Sequence, residues 1–196
     1  MHPELLSMSL FMLVTSCSPG PNNIVASYSA FNFGIIKTIP HMCGVIFGFT
    51  TLVAVVNFGL INIFKMFPLI QEILKYGGSI FLVYLAYKIS FSKSNSKDSN
   101  ENPVKFIETF LFQFLNPKGV IVGIIVVSTY VETGENYFLY SLWVIVLAVL
   151  FSSTSIISWT LLGKFLRKFA TNDKFIKYFN YAMSILLLGS VITFYL

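Results

Sequence analysis

Six long apolar stretches, separated by short polar segments, form the main pattern of this 196-residue chain. Each stretch has about 20 residues or more, which lets a helix cross a hydrocarbon core of about 30 Å. The pattern therefore predicts an all-α, polytopic integral membrane protein with six transmembrane helices. Their expected limits are about Leu5 to Phe33, His41 to Phe64, Leu69 to Ser90, Phe106 to Tyr130, Tyr137 to Leu162, and Phe175 to Leu196.

The composition agrees with a lipid bilayer as the surroundings. Hydrophobic residues make up 56% of the chain and charged residues only 11%, and the mean hydropathy is +0.78. A soluble domain usually carries about 25% charged residues. So few charges could not cover the surface of a soluble chain of this size, and we expect a cell-membrane location.

The first apolar stretch is interrupted by Pro19, Gly20, Pro21, Asn22 and Asn23. Each proline lacks a backbone donor and its ring clashes with the carbonyl one turn back, so a continuous helix cannot pass through. We predict two half-helices, with Gly20 as N-cap and Pro21 as the first residue of the second half. The N–H groups of Asn22, Asn23 and Ile24 are then expected to be free at the positive end of a helix dipole, which favours anions.

The fourth stretch carries a similar break at Asn116, Pro117 and Lys118. With Asn116 as N-cap and Pro117 as the first helical residue, Lys118 lies in a first turn, where the helix dipole disfavours its charge. A charged Lys deep in a membrane also costs about 3 kcal/mol. Two interpretations are open: Lys118 holds a substrate carboxylate, or it pairs with a carboxylate elsewhere in the protein or reaches a watery vestibule.

The amide side chains near the breaks suit a zwitterion, because they both donate and accept hydrogen bonds. The alternative is that they only cap and satisfy the broken helices. The expected substrate-binding residues are Pro19, Gly20, Pro21, Asn22, Asn23, Gln113, Asn116, Pro117 and Lys118.

Glu108 is the carboxylate closest before the second break. It lies ten residues before Lys118, roughly 15 Å along a straight helix, so the two cannot pair directly. We expect an interfacial residue near the cytoplasmic end; the alternative is a proton acceptor, which makes Glu108 the candidate for proton coupling. His41, at the entrance of the second stretch, is interpreted as structural or interfacial rather than as a proton relay.

The two breaks are related by position. Pro19 and Pro117 are 98 residues apart, half of the chain length, and each lies in the first of three stretches. We therefore expect one transmembrane domain of two three-helix repeats, 1–91 and 105–196, joined by a polar loop at 92–104. Because three is odd, the second repeat crosses the membrane in the opposite sense, and the paired broken helices meet near the midplane.

Basic residues predict the orientation. Ten of the 13 Lys and Arg residues lie in or beside the first, third and fifth loops. The positive-inside rule places those loops in the cytoplasm and both termini outside. Basic loops facing an anionic leaflet account for the net charge of +5 without a nucleic-acid partner.

These motifs resemble the signature of the LysE/RhtB family of amino-acid exporters, which has Pro-Gly-Pro in its first span and Asn-Pro-Lys in its fourth. The matching positions are Ser18 to Asn23, Gly34, Gly44, Gly48, and Phe114 to Gly119. The resemblance implies a secondary transporter that exports amino acids or related metabolites, driven by the proton gradient. The chain departs from the family pattern at Ala86, Thr109 and Gln113, which leaves the substrate open.

We expect alternating access by rocking of the two repeats around a midplane site. No metal spacing, phosphate loop or nucleophile motif is present, so neither a cofactor nor an enzyme activity is predicted. Two alternatives remain: a thiol/disulfide electron-transfer protein using Cys17 and Cys43, and a non-transporting membrane scaffold. The sequence is compatible with a homo-oligomer but does not specify one.

Overall fold

The computed structural model describes residues 4–60, 68–91, 104–132, 134–170 and 172–195. Within these ranges all regular secondary structure is helical. The helices are α1 (Leu5–Cys17), α2 (Pro21–Phe33), α3 (Ile35–Val55) with a π-helical segment (Val56–Leu60), α4 (Pro68–Ser90), α5 (Phe106–Leu115), α6 (Pro117–Tyr130), α7 (Tyr137–Arg167) and α8 (Asp173–Ile192). An all-α fold is confirmed.

Both predicted breaks are present. After α1, Gly20 is extended and caps α2, whose first residue is Pro21. After α5, Asn116 is extended and caps α6, whose first residue is Pro117, and the two helices are bent by 62°. The proline at each first helical position needs no hydrogen-bond acceptor there, which explains why the helices restart at these residues.

Two predicted limits were wrong. The second predicted span, helix α3, begins at Ile35 rather than at His41. Gly34, at φ 85°, ends α2 and leads directly into α3 without a loop. The fifth predicted span, helix α7, continues to Arg167 rather than ending at Leu162, so Lys164 and Arg167 lie in its last turn instead of in a loop. Cations at this position interact favourably with the negative end of the helix dipole.

Three described helices are long and apolar enough to cross a membrane, namely Ile35–Gly59, Tyr137–Arg167 and Asp173–Ile192. If the bent pair Phe106–Leu115 and Pro117–Tyr130 is counted as one span, the number of candidate spans among the described residues rises to four. Leu5–Cys17 is a shorter apolar helix. A multi-pass membrane protein is thereby supported. Residues 61–64 of the second predicted span and 92–103 of the polar loop lie outside the described residues.

The helices of the two halves are interleaved. Helix α2 packs on α7, α3 on α5 and on α7, and α4 on α8. Ten of the 13 residues of α2 are buried, so this half-helix lies at the centre of the protein. It approaches α7 closely at Gly163, where an added Cβ would lie 2.7 Å from the Cα of Ser27.

Small residues also join α3 to α5. Gly44 and Gly48 lie four residues apart, a spacing that lets two helices approach closely. A Cβ on Gly44 would lie 2.7 Å from the Cβ of Thr109, and one on Gly48 would lie 2.7 Å from the Cγ of Gln113. This contact holds α5 against α3 and brings the second break next to the first.

Candidate functional site

The two breaks line one cavity, which we call the main cavity. It encloses about 520 Å³ of space free of protein atoms, including its opening. Seven of the nine sequence-predicted binding residues line it: Gly20, Pro21, Asn22, Asn23, Gln113, Asn116 and Lys118. Pro19 is exposed and Pro117 half-buried, and neither lines the main cavity.

Lys118 connects the two breaks directly. Its half-buried ammonium donates hydrogen bonds to the hydroxyl of Ser18 at 2.7 Å and to the carbonyl of Ser18 at 3.2 Å. The side chain lies over Gly20, where an added Cβ would be only 3.1 Å from Nζ. An ammonium has three donors, so one N–H remains for a ligand in the main cavity.

The contact with Ser18 also explains how a cation is tolerated in the first turn of α6. Ser18 lies at the C-terminal end of α1, the negative end of that helix dipole, where a cation is favoured. Lys118 forms no ion pair with a carboxylate in the part of the chain that the structure describes. Its partner is the end of the first half-helix, which the sequence analysis did not consider.

The side chain of Asn23 caps the C-terminal end of α1, and both of its polar atoms are already hydrogen-bonded within the protein. Its Nδ2 donates to the carbonyls of Ser16 at 2.8 Å and Ser18 at 3.0 Å. The hydroxyl of Ser155 bonds the carbonyl of Ser16 at 2.7 Å and Oδ1 of Asn23 at 3.2 Å. The orphan carbonyls that a helix end leaves are therefore satisfied by side chains, as the capping alternative for this residue expects.

The N-terminus of α2 keeps fewer free donors than expected. The N–H of Ile24 is bonded to the carbonyl of Gly20 at 3.0 Å, so its predicted availability was wrong, because the N-cap carbonyl accepts the first intrahelical bond. Asn22 and Asn23, at the second and third helical positions, have no acceptor one turn earlier within the helix.

Asn22 and Gln113 bind each other through both amide atoms. Nδ2 of Asn22 donates to Oε1 of Gln113 at 2.8 Å, and Nε2 of Gln113 donates to Oδ1 of Asn22 at 3.1 Å. Nε2 of Gln113 also donates to the carbonyl of Thr109 at 2.8 Å. We call this pair the amide clasp; it joins α2 to α5 at the wall of the main cavity.

Asn116 differs from the other amides because one of its polar atoms has no partner. The residue is 3% exposed, it lines the main cavity, and its Oδ1 is buried without a hydrogen bond within the described structure. Its side chain makes no capping bond to α6. An unsatisfied buried acceptor costs about 1–3 kcal/mol, and a donor on a ligand would remove that cost.

Glu108 lies outside the main cavity. Its exposed side chain accepts a hydrogen bond from the backbone N–H of Lys105 at 3.0 Å, at the start of α5. His41, by contrast, is 2% exposed and lies inside α3. Of the two interpretations, structural or interfacial, the structure agrees with the structural one, because α3 begins six residues earlier, at Ile35, and both ring nitrogens are hydrogen-bonded.

Sequence analysis missed eight residues of the main cavity. They are Thr15, Ser16, Val45, Phe49, Gly119, Val122, Ser152 and Ser155. A polar run from Ser152 to Ser155 within an apolar stretch was the available signal for two of them. Thr15, Ser16 and Gly119 adjoin the two breaks in the sequence. Val45, Phe49 and Val122 lie within apolar helices, and only packing brings them to the main cavity.

The two cysteines, the candidates of the thiol alternative, do not line the main cavity. Cys17 and Cys43 are free thiols, each half-buried. Within the described residues, no group of three or more His, Cys, Asp or Glu side chains is arranged to hold a metal ion.

Comparisons with known proteins agree on one family. The sequence profile described as LysE type translocator matches residues 13–195. The chain is 30% identical, over 167 residues, to the cysteine/O-acetylserine efflux proteins of Escherichia coli (strain K12) and Shigella sonnei (strain Ss046), covering 83% of this chain and 84% of each relative. The protein with the same description from Salmonella choleraesuis (strain SC-B67) is 29% identical over 164 residues, with the same coverage. No solved structure gave a significant match.

Proposed function

The chain belongs to the LysE type translocator family, and from this membership we propose that it exports amino acids or related small metabolites through the main cavity. Members of a translocator family are transporters, so the chain is not an enzyme. The observation that carries the proposal is the meeting of two proline-broken helices at one cavity with a single cationic side chain, Lys118.

The proposed substrates are small amino acids without net positive charge. The described relatives are named for efflux of cysteine and O-acetylserine, which fit this class. The described residues that line the main cavity include one Lys and no Asp or Glu, so a second cation on the substrate has no described carboxylate to meet.

The proposed binding mode uses both ends of a zwitterion. The substrate carboxylate accepts from the remaining N–H of Lys118 and from the backbone N–H groups of Asn22 and Asn23. Such a half-helix N-terminus favours an anion. The substrate ammonium donates to Oδ1 of Asn116, whose lack of a partner supports this assignment. Asn23 and the amide clasp hold the geometry, and the three prolines and Gly20 shape the breaks.

Six spans in two inverted repeats remain the proposed topology, with both termini outside the cell. Support comes from the way the helices pair. If α1–α2 and α5–α6 are the first span of each repeat, the first span of one repeat packs on the second span of the other, α2 on α7 and α5 on α3. The third spans, α4 and α8, pack on each other. This exchange of partners is expected for two related halves.

Alternating access driven by the proton gradient completes the proposal. Rocking of one repeat against the other would expose the main cavity to each side in turn. Glu108, the proton-coupling candidate from the sequence, is exposed and lies outside the main cavity, so comparison of Glu108→Gln with the native chain tests whether it carries the proton. The oligomeric state is not part of this proposal.

Uptake into inverted membrane vesicles tests the function. We would compare labelled L-cysteine, O-acetyl-L-serine, L-alanine and L-lysine, with and without a proton gradient, in the native chain and in Lys118→Met. We expect gradient-dependent uptake of the neutral amino acids, little uptake of L-lysine, and loss of uptake in Lys118→Met.

Lys105→Met is the matched control, because Lys105 is exposed at the start of α5 and its removal deletes the same charge outside the main cavity. Native vesicles that take up no amino acid would contradict the exporter proposal and favour the thiol or scaffold alternatives. Labelling of the two cysteines with loss of function in the Cys17→Ser, Cys43→Ser double variant would then support the thiol alternative.

A further inference from the structure

A second, smaller cavity lies behind the amide clasp. It comprises about 210 Å³ of space free of protein atoms, including its opening, and shares Pro21 and Asn22 with the main cavity. Its other walls include His41, Thr109 and Leu85. The first turn of α2 and the clasp therefore form a partition, with the main cavity on one side and the second cavity on the other.

His41 ties this partition to α3 through both ring nitrogens. Nε2 lies 3.0 Å from the backbone carbonyl of Asn22, and Nδ1 lies 2.9 Å from the hydroxyl of Thr109. A carbonyl can only accept, so Nε2 carries the hydrogen. In the neutral ring, Nδ1 therefore accepts from the hydroxyl of Thr109.

The contacts close into a ring of four residues. Asn22 binds Gln113 through the clasp, Gln113 binds the carbonyl of Thr109, Thr109 binds His41, and His41 binds the carbonyl of Asn22. Because hydrogen bonds in such a network depend on one another, a change at one imidazole nitrogen reaches the clasp through Thr109 and through Asn22.

No described carboxylate hydrogen-bonds to His41. The charged groups on its own helix and on the elements around it are exposed or bound elsewhere. Lys118 is bonded to Ser18, Glu108 accepts from the backbone of Lys105, and the side chains of Lys37, Lys88, Lys105, Lys164 and Arg167 are exposed. A charged imidazole in this closed arrangement would therefore lack a countercharge, which is costly in a buried site.

We propose that His41 takes up and releases the coupled proton and that its protonation opens the amide clasp between the two cavities. This inference rests on the proposed proton-driven export. The added proton binds Nδ1, the hydroxyl of Thr109 turns from donor to acceptor, and no covalent bond other than N–H forms. The charged ring then favours a conformation in which the partition separates and water reaches it, since a ligand shifts a population toward the state that binds it better.

The position of the second cavity indicates on which side of the membrane the proton is released. Val104, just before α5, and Leu85, late in α4, line this cavity, and in the proposed orientation both lie toward the cytoplasm. The protonated state thus opens on the cytoplasmic side, where the proton leaves and substrate enters. Glu108, outside both cavities, has no comparable connection to the clasp.

Proteoliposomes separate coupling from transport. We would measure exchange of labelled for unlabelled amino acid without a gradient, and accumulation with a gradient, using the amino acid that the native chain transports best in the vesicle panel. His41→Gln keeps a donor and an acceptor but cannot take the proton. We expect it to retain exchange and to lose both accumulation and the pH dependence of transport.

The expected accumulation ratio follows from the pH difference across the membrane. A difference of about one pH unit supports about tenfold accumulation for each proton exchanged, and this ratio should fall to about one in His41→Gln. Glu108→Gln is the competing variant and should accumulate substrate as the native chain does. Accumulation by His41→Gln, or its loss only in Glu108→Gln, would overturn the inference while leaving export intact.

A second variant covers the case in which His41→Gln also loses exchange. Thr109→Val retains the imidazole and removes the partner of Nδ1. We expect exchange to continue and the midpoint of the pH profile of accumulation to move. An unchanged midpoint would overturn the inference, and a native chain that moves no amino acid at all would instead contradict the proposed function.

Discussion

The ammonium of Lys118, in the second broken helix, lies 2.7 Å from the hydroxyl oxygen of Ser18, in the first. The two residues are 100 positions apart in the chain, so this bond fixes the relative position of the two breaks. Among the described residues that line the main cavity, Lys118 is the only charged one, and this bond holds its side chain in a defined direction.

Ser18→Ala should weaken substrate binding without preventing folding. The variant keeps the bond from Lys118 to the Ser18 carbonyl but loses the shorter bond to the hydroxyl. A hydrogen bond to a charged group contributes about 1.5–3 kcal/mol, and part of it is recovered by water, so we expect KM to rise roughly tenfold. The concentration dependence of uptake measures this change, and Ser128→Ala, at an exposed site on α6, is the control. An unchanged KM would show that the hydroxyl does not position Lys118.

The amide clasp should appear as coupling between two substitutions. Asn22→Ala and Gln113→Ala each leave the other amide without its partner, so each should lower the free energy of unfolding by about 1–3 kcal/mol. The double variant should lose less than the sum, with a coupling of about 0.5–3 kcal/mol. Denaturant titration of the purified protein in detergent measures the cycle. Asn22→Ala combined with Ser190→Ala, on α8, should be additive, and additivity of the clasp pair would contradict the contact.

Asn116→Ala should change which ligands compete for the site. The unpartnered Oδ1 is proposed to accept from the substrate ammonium, so its removal should reduce the preference for an amino acid over the acid that lacks the amino group. Inhibition of labelled uptake by L-alanine and by propionate measures this preference. We expect it to fall by about tenfold or more, the value of a hydrogen bond to a charged group. A preserved preference would place the ammonium elsewhere.

Gly48→Ala should destabilise the protein by separating α3 from α5. The added Cβ would lie 2.7 Å from the Cγ of Gln113 and 2.9 Å from the carbonyl oxygen of Phe110. Overpacking of this kind costs about 1–3 kcal/mol, which a lower midpoint of thermal unfolding in detergent would report. Gly189→Ala is the matched control, because a Cβ there meets nothing within 4 Å. Equal midpoints for the two variants would contradict the close packing.

The breaks were predictable because their cause is local. Pro21 and Pro117 each restrict their own backbone and the turn before them, and the helices restart at these residues as expected. The spacing of Gly44 and Gly48 likewise indicated that another helix would pack closely there. It did not indicate that this helix would be α5.

The contacts across the site were not predictable because they join distant parts of the chain. Gln113 lies 91 residues from Asn22, and no local pattern distinguishes an amide that binds another amide from one that binds a ligand. The same holds for His41, whose burial follows from the start of α3 at Ile35 and from the packing of α5, not from its immediate neighbours. Glu108 was a candidate because it is the carboxylate closest before the second break in the sequence. Its exposure became evident only from the fold.

The contact of Lys118 with Gly20 makes the two breaks complementary rather than alike. Gly20 caps α2 as Asn116 caps α6, so Lys118, two residues after its cap, occupies the position that Asn22 holds in the first break. An added Cβ on Gly20 would lie 3.1 Å from Nζ of Lys118. Two copies of the first break would bring no lysine, and two copies of the second would put an Asn side chain at the cap beside the lysine. The bare cap and the cation therefore form one unit that is divided between the two halves of the chain.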